Sequence, residues 1–303
     1  MTVLALLVAL LVERLATRLL HLREARWLQG YSRWALGIGG SGGGVKGRLL
    51  CALLVLPPVL PVAVAAWWLS GVASDVAWLP LASLVLVFSL GPRDLAEEVR
   101  DYLERETRGD AAGAAAVARE IVEHDSAQRR EFRAAAVEDA VLVQANNRIF
   151  GVVFWFVLLG PAGLGPAAAW LFRVTDLMRR EAILDAPPGA TAARPGCPER
   201  LHFLLAWAPA RLLALGYALA GSFEEARRSW RERYAALPAQ LLERNDWLLV
   251  HVGRAALGGA GEPATAAGGE ATARVRAALR LVRRALLFWL TVIAVLSLIA
   301  WIA

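Results

Sequence analysis

The chain has 303 residues, 57% of them hydrophobic, and a mean hydropathy of +0.47. That is more apolar surface than a water-soluble fold of this length can hide, so the composition excludes a soluble globular protein and calls for a bilayer. The formal net charge of +6 comes from basic residues that are all arginine except Lys46. Together with abundant Ala, Leu and Gly, this reads as a GC-rich coding sequence rather than a nucleic-acid surface, and nucleic acid is not an expected partner.

Residues 1–12 have the apolar core of a signal peptide but no basic flank, and they run into Glu13 and Arg14 without a small-x-small cleavage site. A retained helix is expected. The stretch "GIGGSGGGVKG" (Gly37 to Gly47) has the glycines and lysine of a phosphate loop. However, Val45 and Gly47 flank Lys46 where Gly-Lys-Ser/Thr is needed, so a linker is expected. Leu49 to Leu69 is uncharged for 21 residues, enough to cross a hydrocarbon core of about 30 Å, with Pro57, Pro58 and Pro61 disturbing the helix. Val76 to Leu90, at 15 residues, is a short span.

Gly91 to Arg148 carries Ala-rich helical sequence with charges of both signs. Its break at Thr107-Arg108-Gly109-Asp110 places Asp110 as the cap of a second long helix from Ala111 to roughly Ala145. Ile149 to Phe172 is uncharged but split by Gly160-Pro161-Ala162-Gly163-Leu164-Gly165-Pro166. It either crosses as one broken helix or dips in and returns, its freed backbone groups satisfied by protein or water. Leu201 to Ala220 repeats the theme with Pro209 and Arg211. Ser222 to Arg284 is helical to Leu257, then reads "GGAGEPATAAGGEATA", a linker composition. Ala285 to Ala303 is an uncharged terminal span with Trp289 and Trp301 near its ends, as aromatic belts place them. Arg274, Arg276, Arg280, Arg283 and Arg284 precede it, which puts that side in the cytoplasm and Ala303 outside.

The expected organisation is therefore 1–90, membrane helices with a basic, Gly-rich cytoplasmic loop; 91–148, a cytoplasmic helical segment; 149–221, broken membrane or re-entrant helices; 222–284, a cytoplasmic helical segment and linker; and 285–303, the terminal span. The fold class is all-α, a multi-pass helical membrane protein with cytoplasmic helical segments. Cys51 and Cys197, 146 residues apart, suggest no disulfide framework and no metal-ligand spacing. His21, His124, His202 and His251 stand in four separate segments, and no metal site is assigned. HExxH and CxxC are absent from the sequence and no Gly-x-Ser-x-Gly nucleophile elbow is read, so no catalytic residue is assigned. Polar residues at the margins of apolar runs remain: Arg93, Asp94, Asn146, Asp176 and Arg211. Such groups are costly near membrane depth and face protein or a wet cavity, either as salt bridges and caps or as a ligand pocket.

"ANNRIFGVVFWFVLLGPAGLGPAAAWLFRVTDLMRR" (Ala145 to Arg180), "LLAWAPARLLALGYALAGSFEEARRSW" (Leu204 to Trp230) and "LLVERL" (Leu10 to Leu15) resemble the AmpE family of inner-membrane signalling modulators in beta-lactamase regulation. The resemblance extends over nearly the whole chain. That family is in turn similar to the membrane synthases of cobalamin biosynthesis, whose traces here are "GPRDL" (Gly91 to Leu95), "FGVVFWFVLLG" (Phe150 to Gly160) and "APARL" (Ala208 to Leu212). Where the synthase pattern has an acidic-Asn pair and an Asp-Gly, this chain reads Asn146-Asn147 and Phe150-Gly151. The resemblance implies a location in the bacterial inner membrane and modulation of the beta-lactamase and cell-wall response. It also implies sensing of a cell-wall-derived ligand or membrane partner protein through Arg93, Asp94, Asn146, Asp176 and Arg211. The alternative is a membrane enzyme acting on a phosphorylated or activated small molecule, with the arginines as anion clamps and Asp94 or Asp176 as acid or base; a third class, a structural membrane scaffold, requires no pocket. No cofactor is assigned.

Overall fold

A computed structural model of the chain describes residues 30–35, 45–72, 75–90, 95–122, 130–184, 196–234, 244–258 and 269–302. The expected helix at 1–12, most of the glycine-rich stretch, Arg93 with Asp94, and linker residues 259–268 lie outside the described residues. Among the described residues every regular element is a helix. In chain order these are α1 (Val45–Val72), α2 (Asp75–Ser89), α3 (Leu95–Arg108), α4 (Ala111–Val122) and α5 (Arg130–Gln144). A π-helix (Ala145–Phe150), α6 (Gly151–Leu159) and a 3-10 turn (Gly160–Ala162) follow. The remaining elements are α7 (Gly165–Leu184), α8 (Cys197–Ala220), α9 (Phe223–Tyr234), α10 (Arg244–Ala256) and α11 (Gly269–Ile302). A further helical turn occupies residues 30–35. Ala52–Gly71, Phe132–Ala162, Cys197–Ala220 and Gly269–Ile299 are long and apolar enough to cross a membrane, and Trp78–Ser89 is a shorter apolar helix. The chain is an all-helical membrane protein.

Two compact units share these elements, residues 1–92 with 147–206 and residues 93–146 with 207–303. In the first unit, α1, α2 and α7 meet in a core of Leu54, Val55, Val59, Val85, Trp170, Val174 and Met178. The opposite face of α1 leaves Leu53, Leu60, Val64 and Trp67 exposed, the pattern of a helix solvated by lipid on one side. Pro57, Pro58 and Pro61 all lie inside α1, where each removes a ladder donor to the carbonyl four residues back. Pro58 thereby frees the carbonyl of Leu54, and the Tyr31 hydroxyl donates to that oxygen at 2.7 Å. The Trp170 indole N–H donates to the Pro58 carbonyl at 2.8 Å. Pro209 likewise frees Leu205 O in α8, and Trp155 Nε1–H donates to it at 3.0 Å. Tyr31 and Trp155 thus restore what proline takes away, which is how proline is tolerated at membrane depth.

The break expected at Gly160 to Pro166 is present. Helix α6 ends in the 3-10 turn, Gly163 adopts φ +75°, and Pro166 sits in the first turn of α7. A left-handed residue here favours glycine, and a Cβ at Gly163 would meet Ser70 Oγ at 2.4 Å. Helices α6 and α7 pack against each other, so the break is a turn between two helices rather than a kink in one. The apolar piece before it is not the isolated ten-residue segment the sequence suggested, because the π-helix joins it to α5 as the continuous helical run Phe132–Ala162.

In the second unit, the charges on that run are paired rather than solvated. Glu138 accepts two hydrogen bonds from Arg274, Asp139 accepts from Arg254 at 2.7 Å, and Arg133 Nη1 reaches Glu106 at 3.3 Å. Asp110 caps α4 as expected, its Oδ1 accepting from Gly113 N–H at 2.9 Å. Helix α11 begins at Gly269, so the end of the expected linker is helical. At about 1.5 Å per residue its 34 residues reach about 51 Å, well beyond a hydrocarbon core of about 30 Å. Trp289 does not stand free as a belt residue, for its Nε1–H donates to Leu212 O at 3.0 Å in the space left by Gly216. Cys197 is disulfide-bonded, a link that the 146-residue separation of the two cysteines did not suggest.

Candidate functional site

Asp176 is the centre of the first unit's polar cluster. The spacing Arg173, Asp176, Arg179 puts three side chains on one stripe of α7, since residues three apart are neighbours on a helix. Arg173 Nη1 donates to Oδ2 at 3.0 Å and Arg179 Nη2 donates to Oδ1 at 2.9 Å. From α8, His202 Nε2 lies 3.9 Å from Oδ1, and its ring sits 5.0 Å from that of Phe172. Asp176, Arg173 and His202 are all buried, and Arg148 of the π-helix is buried in the same unit. Burial alone would raise the Asp176 pKa, but the charges of Arg179, His202 and Arg173 outweigh it and hold the carboxyl well below its usual range. Each oxygen accepts from a guanidinium group, so Asp176 is an ionised organiser of arginines.

The π-helix raises the density of buried polar groups. Gln144, Asn146, Asn147 and Arg148 follow one another almost without interruption, and all are buried. One extra residue per turn redirects side chains that a regular α-helix would spread over several faces, and such turns recur at functional positions.

Arg211 belongs to the second unit, and its guanidinium is satisfied without a carboxylate. Nη1 donates to the Asn245 side-chain oxygen at 3.1 Å and to the backbone carbonyl of Trp207 at 2.9 Å. Its Cζ stands 4.1 Å from the centre of the Trp207 ring, a cation–π contact. Nearby on α10, Trp247 and His251 stack at 4.0 Å, and His251 Nδ1 bonds the Trp247 carbonyl oxygen at 2.8 Å.

Of the residues expected from sequence, Asp176 lies in the first unit and Asn146 and Arg211 in the second, while Arg93 and Asp94 lie outside the described residues. Sequence reasoning missed Arg173, Arg179, His202, Trp207 and Asn245. The arginines were discoverable from their three-residue spacing about Asp176. His202 and Asn245 were not, because nothing local announces a partner that folding brings from another helix.

The chain matches the family described as "Regulatory signalling modulator protein AmpE" over residues 1–302, and it belongs to that family. It is also similar to a "Cobalamin biosynthesis protein CobD" of Stutzerimonas stutzeri (strain A1501). The two are 33% identical over 179 residues, which cover 57% of this chain and 54% of the relative. A protein of the same description from Chromobacterium violaceum is 30% identical over 197 residues, covering 62% of this chain and 56% of the relative. The chain thus matches only about half the length of these curated relatives. No solved structure matches it.

Proposed function

We propose that this AmpE-family protein modulates beta-lactamase induction from the cytoplasmic (inner) membrane, and that it does so by binding rather than by catalysis. The observation that carries this reading is the family match over residues 1–302. The state of Asp176 supports it. A carboxylate that accepts from both Arg173 and Arg179 is held in its ionised form and is a weak base towards a substrate proton. What such a cluster does well is hold guanidinium groups in fixed positions, ready for an anionic group on a cell-wall-derived ligand or on a membrane partner protein. Arg93, Asp94, Asn146 and Arg211 belong to the same proposal as residues whose substitution alters the response. Deleting the chain in its host and measuring beta-lactamase induction tests the reading, and unchanged induction counts against it.

The second reading is an enzyme of cobalamin biosynthesis, which the two relatives so described favour. It places Arg148, Arg173 and Arg179 on the phosphate of an activated small molecule. Restoration of cobalamin-dependent growth in a strain lacking that biosynthesis protein decides for it, and failure to restore growth decides against it.

A further inference from the structure

We propose that α11 carries a binding site for an anionic phospholipid, built from an arginine stripe and the apolar groove that continues it. At about 100° per residue, Arg274, Val275, Ala278, Leu281, Val282, Ala285 and Trp289 fall on one side of the helix. That side is the packed one: Val275, Ala278, Leu281, Val282 and Ala285 are buried, Trp289 reaches Leu212, and Arg274 is held by Glu138. Arg276, Arg280, Arg283 and Arg284 point the other way and are exposed. Unlike Arg274, none of the four forms an ion pair among the described residues. Three or four residues further on, the same face turns apolar. A shallow, open apolar groove begins there, lined by Leu287, Leu290, Thr291, Ala294, Val295 and Leu298. The Thr291 hydroxyl donates back to the Leu287 carbonyl at 2.9 Å, so its polarity is met within the helix.

Arginines and groove share about 140° of arc on one helix, so they present a single continuous surface. Leu287 to Leu298 covers about 16 Å along the axis, close to half of a hydrocarbon core of about 30 Å. The groove therefore runs the depth of one leaflet. Arg283 and Arg284 stand about 5 Å before its mouth and Arg280 about 10 Å, the depth of the headgroup layer. Three cations without carboxylate partners at headgroup depth, joined to an open apolar face of acyl length, match one occupant in charge and in apolar length: a phosphate diester with fatty chains and a net negative charge. A soluble phosphate would use the arginines and leave the groove unfilled.

The test uses the full chain in phosphatidylcholine nanodiscs containing a small fraction of fluorescent phosphatidylglycerol, with energy transfer from the chain's tryptophans reporting enrichment at its surface. The wild type is expected to enrich the anionic probe over a matched phosphatidylcholine probe. The R280Q/R283Q/R284Q variant is expected to lower that preference about a hundredfold, at roughly fivefold per charge. Ala294→Trp, which fills the groove and leaves every charge in place, is expected to lower it as well. Because Ala294 faces outward, this variant keeps the test decisive even if the triple variant fails to fold. Equal enrichment of the two probes by the wild type would overturn the proposal, as would a preference that survives either folded variant. Displacement of the probe by millimolar inorganic phosphate would also overturn it, by showing an anion site rather than a lipid site.

Discussion

Trp289 donates its indole N–H to the carbonyl of Leu212 across a surface that Gly216 keeps clear, and a Cβ on Gly216 would lie 2.6 Å from that nitrogen. One missing side chain on α8 thus lets the long terminal helix dock. Gly216→Val is expected to destabilise the protein by about 1–3 kcal/mol through overpacking. Most of that cost should vanish in a Trp289→Ala background, where the clashing partner is gone. Thermal unfolding in detergent, followed by tryptophan fluorescence for the first variant and circular dichroism for both, measures the cycle. Equal costs of Gly216→Val in the two backgrounds would contradict the contact.

The proline-freed carbonyl of Leu54 gives a second cycle. Tyr31→Phe leaves that oxygen without its hydroxyl donor and is expected to cost about 1–3 kcal/mol. Pro58→Ala restores a backbone N–H, so Tyr31→Phe in that background should cost much less. The same cycle for Trp155→Phe with Pro209→Ala probes Leu205. A Tyr31→Phe cost that ignores Pro58 would show the hydroxyl to be irrelevant to the helix break.

Glu138 and Arg274, 136 residues apart, form a bidentate pair with the carboxylate buried. Arg274→Ala strands that charge and should cost about 3–5 kcal/mol, whereas Glu138→Leu with Arg274→Met should come close to the wild type. Chemical unfolding of the purified chain in mild detergent reads both. A double variant as unstable as Arg274→Ala would locate the cost in lost packing instead.

Asp176 makes a prediction with a defined sign in pH. Its folded pKa lies below the unfolded value of about 3.9, so the ionised carboxylate stabilises the fold at every pH above that value. Its contribution falls as pH drops below that value, where the unfolded chain binds a proton that the folded carboxylate does not, and is gone once the folded carboxylate is itself protonated. Asp176→Asn should therefore cost about 3–5 kcal/mol at pH 7, with the gap to wild type closing as pH falls below about 4. Unfolding measured at pH 7, 5 and 3.5 follows the gap. A difference that widens on acidification would reverse the sign of the linkage.

Much of this architecture was legible in the sequence wherever the signal is local. The uncharged run in α1 sets its span, Gly160 to Pro166 sets a turn because two prolines lack donors and Gly163 tolerates a positive φ, and Asp110 caps the helix that starts at Ala111. What escaped reading depends on partners that only the fold supplies. Arg211 called for a carboxylate or a polar cavity, and the partners that meet it, Asn245 from α10 and the face of Trp207, could not be named from sequence. The charges at Arg133, Glu138 and Asp139 looked like a solvated face, yet each finds a partner on another helix, and their run joins an apolar helix of membrane length. The cysteine at 197 gave no sign of its bridge because sequence separation carries no distance.

Topology offers a check that depends on no side-chain contact. Reporters fused after Arg108 and after Gly259 are expected on the cytoplasmic side and one at Ala303 on the opposite side, following the arginines that precede the last span. A Gly259 fusion that reads with Ala303 would invert the orientation.

The most direct measurement pairs two readouts in one deletion strain: beta-lactamase induction by a cell-wall antibiotic, and cobalamin-dependent growth. A regulatory membrane protein that works by binding predicts altered induction and normal growth. The wild-type chain should restore induction, and a stably inserted Arg173→Gln or Arg179→Gln variant should fail to do so. Unaltered induction together with a cobalamin growth defect that the wild-type chain repairs would contradict it and establish the enzyme reading in its place.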